Sequence, residues 1–148
     1  MKQRGFTLIE LLIVVAILGL LASIVLVGLG GARARARDAR RISDLRETQN
    51  ALELYYSANG KYPAFTGTGQ WDNMSGAITG GGLGISRMPK ETLAGHAAYQ
   101  YSTEGGSYQS YVLSAKLEQA NPALTEEGEP DVTVNGIDCA DPIYCVQL

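Results

Sequence analysis

Glu10 is the one charged residue in an otherwise uncharged, largely apolar stretch from Phe6 to Ala32. A carboxylate within hydrocarbon costs about 2.5–3.5 kcal/mol on insertion scales, so it requires a partner or access to water. On the first turn of a helix, the helix dipole compensates part of that cost. A second chemical pair is Cys139 and Cys145, which enclose five residues including Pro142. Two cysteines this close, in a chain with a long apolar segment, point to an oxidising compartment. A bridge and two buried thiols both remain open. The third set is acidic: Glu126, Glu127, Glu129, Asp131, Asp138 and Asp141. Ca²⁺ takes several such oxygens, but the spacing is not that of an EF-hand, and a solvated acidic loop is the preferred reading. No cofactor is expected, with calcium as the alternative.

Enzymatic chemistry lacks its inventory. His96 is the only histidine, and no cysteine or second histidine stands near it. It reads as a loop or strand-edge residue, not as a base or ligand. Gly80-Gly81-Gly82-Leu83-Gly84 lacks the Lys-Ser/Thr of a phosphate loop. No catalytic residue is expected.

These residues must be positioned by few elements. From Leu11 to Ala32 there are 22 residues without a formal charge. As a helix they extend about 33 Å, enough to cross a bilayer core of about 30 Å. A secretory h-region is shorter, so cleavage at Ala32-Arg33-Ala34 is disfavoured. No proline occurs before Pro63, and Ala, Arg, Glu and Leu dominate residues 32–59. Ile42, Leu45, Gln49, Leu52 and Tyr56 recur at helical spacing, which predicts a buried face. Asn59-Gly60, followed by Pro63, is a stop signal. One helix from about Phe6 to Asn59 follows. It crosses the membrane over 6–31 and continues amphipathically over 32–59. Gly19, Gly28, Gly30 and Gly31 weaken it, through either close packing or local melting.

Residues 60–148 read as a head. Ala64–Gly84 is expected to be a loop over the core. Ala97–Ser102 and Tyr108–Leu117 read as strands joined by Glu104-Gly105-Gly106-Ser107. Tyr111, Leu113, Ala115 and Leu117 alternate onto one face that would pack on the helix. Asp131–Val134 is a candidate third strand. The eight tyrosines are read as core and sheet packing, with an aromatic conduction path as the alternative. The fold class is α+β: a long N-terminal helix on a small antiparallel sheet.

Charge is divided along the chain. Residues 1–61 carry +4 and residues 62–148 carry −7, summing to the net −3. That distribution does not describe a nucleic-acid binder. Arg33, Arg35, Arg37, Arg40 and Arg41 follow the apolar run and read as a collar for lipid headgroups. A plain positive-inside count over these arginines would place the head in the cytoplasm.

Arg4-Gly5-Phe6-Thr7-Leu8-Ile9-Glu10-Leu11-Leu12 resembles the leader junction of type IV prepilins and of the pseudopilins of type II secretion. Asn50-Ala51-Leu52-Glu53-Leu54-Tyr55-Tyr56 with Asn59-Gly60-Lys61-Tyr62-Pro63 resembles the end of their first helix. The resemblance covers residues 1–63. It implies a cleaved basic leader, 1–5, cut by prepilin peptidase between Gly5 and Phe6. Phe6 then becomes the N-methylated terminus, and Thr7 and Glu10 become assembly residues. Glu10 would meet the Phe6 ammonium of a neighbouring subunit, a cation available at neutral pH. The implied partners are identical or related subunits, an inner-membrane assembly platform, and membrane lipid before assembly. The precursor would sit in the inner membrane with its N-terminus inside and head outside, then move to an extracellular or periplasmic filament. The resemblance also implies a Cys139–Cys145 disulfide that pins the last loop. Pilins melt locally around a glycine at the position of Gly19. Many also carry a proline further along that helix, and this chain has none there. The function so implied is a structural filament subunit, a type IV pilin for adhesion, motility or DNA uptake. The alternative is a major pseudopilin.

Overall fold

The computed structural model describes residues 6–125, 130 and 132–148. Two compact units divide the chain, Met1–Ala36 and Arg37–Leu148. Helix α1, Leu8–Asn59, contributes to both. It stops where the stop signal stands: Gly60 takes φ +69°, and its N–H donates to Tyr56 O at 2.7 Å. Glycine adopts that left-handed conformation without a Cβ penalty.

In the first unit α1 exposes nearly all of its described side chains. Leu8, Leu12, Leu20 and Ile24 each keep more than half of their surface. This stretch is long and apolar enough to cross a membrane. Apolar surface on this scale is covered in use by lipid or protein.

The second unit is α+β. The part of α1 from Arg37 onward buries Leu45, Thr48 and Leu52 completely. Ile42, Tyr55 and Tyr56 pack partly against the same core. Three antiparallel strands follow in the order β1-β2-β3: β1 Gln100–Thr103, β2 Tyr111–Lys116 and β3 Ile143–Gln147. Tyr111, Leu113, Ala115 and Leu117 join the helix-side core, as their alternation predicts.

Three features differ from the sequence expectation. A helix, α2 (Trp71–Gly80), lies inside the stretch expected to be loop. Trp71, Met74 and Ile78 are its buried residues, at spacings of three and four. Gly76 and the short length hid that stripe, and burial supplies what propensity withholds. The third strand is Ile143–Gln147; of the expected Asp131–Val134, Asp131 lies outside the described residues, and Val132 and Thr133 are in no strand. Val134 makes only an isolated bridge to Ile137. Ile143, Tyr144 and Val146 suit a pleated sheet better than the acidic, Gly-containing stretch before them.

The third difference is that both faces of β2 are buried. Val112 sits with Ile137, Cys139 and Cys145 in a second, small cluster on the far face. Ser102 Oγ ties that cover down, donating to Asn135 O at 2.8 Å and accepting from Gly67 N–H at 3.0 Å. Cys139 and Cys145 are bridged, with Cα atoms 5.6 Å apart. Closing so short a loop stabilises by about 2 kcal/mol in the chain-entropy model. A Cys139→Ser/Cys145→Ser variant is therefore expected to melt about 8 °C lower, measured by circular dichroism. Alkylation without prior reduction should label neither cysteine.

Most of the tyrosines are core, as expected, and Tyr108 is not. Tyr62, Tyr99, Tyr101 and Tyr111 are buried. Tyr62 packs against Tyr56 and Tyr111 with ring centroids 4.8 and 4.7 Å away.

Candidate functional site

Thr7 and Glu10 form the start of α1. Thr7 is the N-cap and Glu10 stands three residues on, the spacing of a capping box. The Thr7 N–H donates to Glu10 Oε2 at 2.8 Å, and the Thr7 hydroxyl donates to the same oxygen at 2.7 Å. The Glu10 N–H reaches back to Thr7 Oγ1 at 3.3 Å. In the single chain, then, the Glu10 carboxylate is held by its own helix N-terminus. Phe6 precedes this box and is 83% exposed. An acceptor with two oxygens retains lone pairs for a further donor. The box therefore orients Glu10 without exhausting it. Gly5, the other half of the expected cleavage junction, lies outside the described residues.

Glu126, Glu127, Glu129 and Asp131 also lie outside the described residues. Asp138 is described, and its Oδ1 accepts from the Ala140 N–H at 3.1 Å. Among the described residues no three His, Cys, Asp or Glu side chains gather into a metal cluster.

The arginine run divides into two sets, which sequence reading had treated as one collar. Arg33, Arg35 and Arg40 are exposed, whereas Arg41 and Asp38 are buried. Arg41 Nε donates to Glu91 Oε2 at 2.7 Å, and its Nη1 donates to Asp38 Oδ1 at 2.8 Å and Glu118 Oε1 at 2.7 Å. Arg41 Nη2 lies 2.9 Å from His96 Nδ1. A guanidinium only donates, so Nδ1 accepts in this contact. Arg37 closes a two-pronged pair with Glu118 from the rim. Asp38 also accepts the backbone N–H groups of Glu118, at 2.9 Å, and Gln119, at 3.0 Å. That fastens the end of β2 to the helix.

Electrostatics follow from these contacts. Hydrogen bonding to Arg37, opposed by burial and helped by Arg41, lowers the Glu118 carboxyl to about 2. Burial would raise Glu91, but the Leu93 N–H and Arg41 outweigh it and hold it below the usual range. Burial would lower Arg41, but Glu91, Glu118 and Asp38 raise it further above its ordinary value. Arg37 and Arg41 are thus matched by head carboxylates. The surplus of positive charge flanking the apolar run is smaller than a plain residue count.

A sequence signal for this knot exists. Asp38 and Arg41 continue the spacing of Leu45, Thr48 and Leu52 along α1, so two charged residues occupy the buried face. Their partners Glu91 and Glu118 lie 50 and 77 residues from Arg41, too far for any local pattern to name.

Residues 1–26 match the prokaryotic N-terminal methylation motif. The chain's N-terminus therefore carries a methylation motif, and the motif lies on the start of the long apolar helix α1. Three curated relatives locate that likeness. The chain is 44% identical over 62 residues to type II secretion system core protein G of Escherichia coli, covering 42% of this chain and 43% of that protein. It is 44% identical over 62 residues to the core protein G of Vibrio cholerae, covering 42% of each. It is 43% identical over 61 residues to the type IV major pilin protein PilE1 of Neisseria gonorrhoeae, covering 41% of this chain and 37% of that one. The matched region spans less than half the length of each relative. No solved structure matches the chain at a significant level.

Proposed function

We propose that this chain is a structural subunit of a type IV pilus-like filament. Prepilin peptidase cuts it between Gly5 and Phe6, Phe6 is N-methylated, and the helix carries assembly. The observation that carries this reading is the methylation motif over residues 1–26, continued by an exposed apolar helix whose one acid is preset by Thr7. Two stations are needed, membrane before assembly and filament after it. An apolar helix with a single oriented carboxylate serves both, because lipid and neighbouring helices present equally apolar surroundings. The head then projects outside, and an oxidising environment there matches the Cys139–Cys145 bridge.

Of the two filaments, a secretion pseudopilus is favoured mildly, since several core protein G relatives match alongside a pilin. A surface pilus for adhesion, motility or DNA uptake is the second reading, supported by the likeness to PilE1. Immunogold imaging separates them: long surface fibres favour the pilus, and loss of secretion without surface fibres favours the pseudopilus. Processing is checked by intact mass of membrane-extracted protein. The mature chain is expected to begin at methylated Phe6. A chain still carrying Met1, or beginning near Ala34, would overturn the reading.

A further inference from the structure

Arg33 and Arg35 stand apart from the knot. Both are exposed, and among the described residues no carboxylate pairs with either. They follow the last large apolar residue, Leu29, by four and six positions, about 6 and 9 Å along a helix. The polar layer on each side of a bilayer core is about 5–8 Å deep. Helical side chains lean toward the N-terminus, here back toward the apolar stretch. Arg35 does so: its Nε lies 3.4 Å from Gly31 O, and its Nη2 lies 3.9 Å from where a Gly31 Cβ would stand. Two positions apart is about 200° around the axis, so the two guanidinium groups serve opposite sides. Arg40, by contrast, is 3.8 Å from Asp44.

We infer that Arg33 and Arg35 form a two-sided site for the phosphates of anionic lipid headgroups. The inference rests on the filament-subunit reading and adds a partner to its membrane-stored stage. Guanidinium groups match phosphate oxygens in paired hydrogen bonds. The apolar stretch fixes depth, and the snorkelling arginines add preference for charge. A second copy of this chain is the competing occupant. Lipid is favoured because both arginines follow directly on the end of the apolar stretch, and the Arg35 guanidinium turns back toward it.

The test uses the full chain in nanodiscs of equimolar phosphatidylglycerol and phosphatidylcholine, with retained lipid counted by native mass spectrometry. Wild type is expected to retain phosphatidylglycerol preferentially, by about five-fold per arginine. Arg33→Gln/Arg35→Gln is expected to retain the two lipids nearly equally. Arg46→Gln should lose none of the preference. Equal retention by wild type and the double variant would overturn the inference. So would wild-type lipid ratios in a double variant that loses copy-to-copy cross-links, since that assigns the arginines to a second copy. Failure of the filament reading looks different: the preference stays intact on a chain still beginning at Met1.

Discussion

Glu10→Ala is expected to leave few fibres while leaving membrane insertion unchanged or improved. Removing the carboxylate relieves the apolar stretch of a cost of about 2.5–3.5 kcal/mol. It also removes the acceptor for the ammonium at Phe6 of a neighbouring subunit. The capping box complicates this reading and offers its control. Loss of a cap costs about 1 kcal/mol, confined to the first turn of a helix 52 residues long. Thr7→Ala removes the cap yet keeps the charge. Glu10→Gln keeps the shape and removes the charge. If the ion pair governs assembly, both Glu10 variants collect as membrane monomer with few fibres, and Thr7→Ala assembles partially. If only the cap matters, Thr7→Ala is as defective as Glu10→Ala. Sheared fibres are quantified against membrane-retained monomer. Parental fibre levels from Glu10→Ala would refute the ion-pair mechanism and leave the family likeness standing.

The largest expected effect on stability is at Arg41. Its side chain is 3% exposed and stands among Asp38, Glu91 and Glu118, at 0%, 7% and 20%. Arg41→Ala leaves those carboxylates without their central cation. Breaking a buried pair from one side costs about 3–5 kcal/mol, a large share of a domain's total stability. A fall in melting temperature of at least about 12 °C is expected for the detergent-solubilised full chain. Arg37→Ala, at a rim position 35% exposed, is expected to cost under about 1 kcal/mol. Arg41→Met tests the alternative, that packing around the side chain matters more than charge. A Met variant as stable as the parent would refute the charge argument.

The same knot sets an acid limit. Glu118 falls to about 2 when folded, and Glu91 is also lowered. A carboxyl depressed by folding stabilises above its unfolded value, about 4.3, and loses that contribution as pH falls through its folded value. Melting temperature should therefore drop as pH is lowered from about 4.3 toward 2, and the drop should be smaller in Glu118→Gln.

Local chemistry determined much of this protein. The methylation motif over residues 1–26, the uncharged stretch from Leu11 to Ala32 and the stop at Asn59-Gly60 are written in consecutive residues. A helix satisfies its backbone within a few positions, so its extent is legible from neighbours alone. The alternation of Tyr111 to Leu117 has the same local origin. What tertiary structure alone decided lies between distant segments. Trp71, Met74 and Ile78 form a helix because a core receives them, despite Gly76 and a length too short to stand alone. The far face of β2 is buried because Ile137, Cys139 and Cys145 return to cover it. Arg41 reads in sequence as one more charge beside a membrane. It becomes the centre of a buried knot because the folded head brings Glu91 and Glu118 to it. Charge is a property of residues, but whether it meets lipid, water or a carboxylate is a property of the fold.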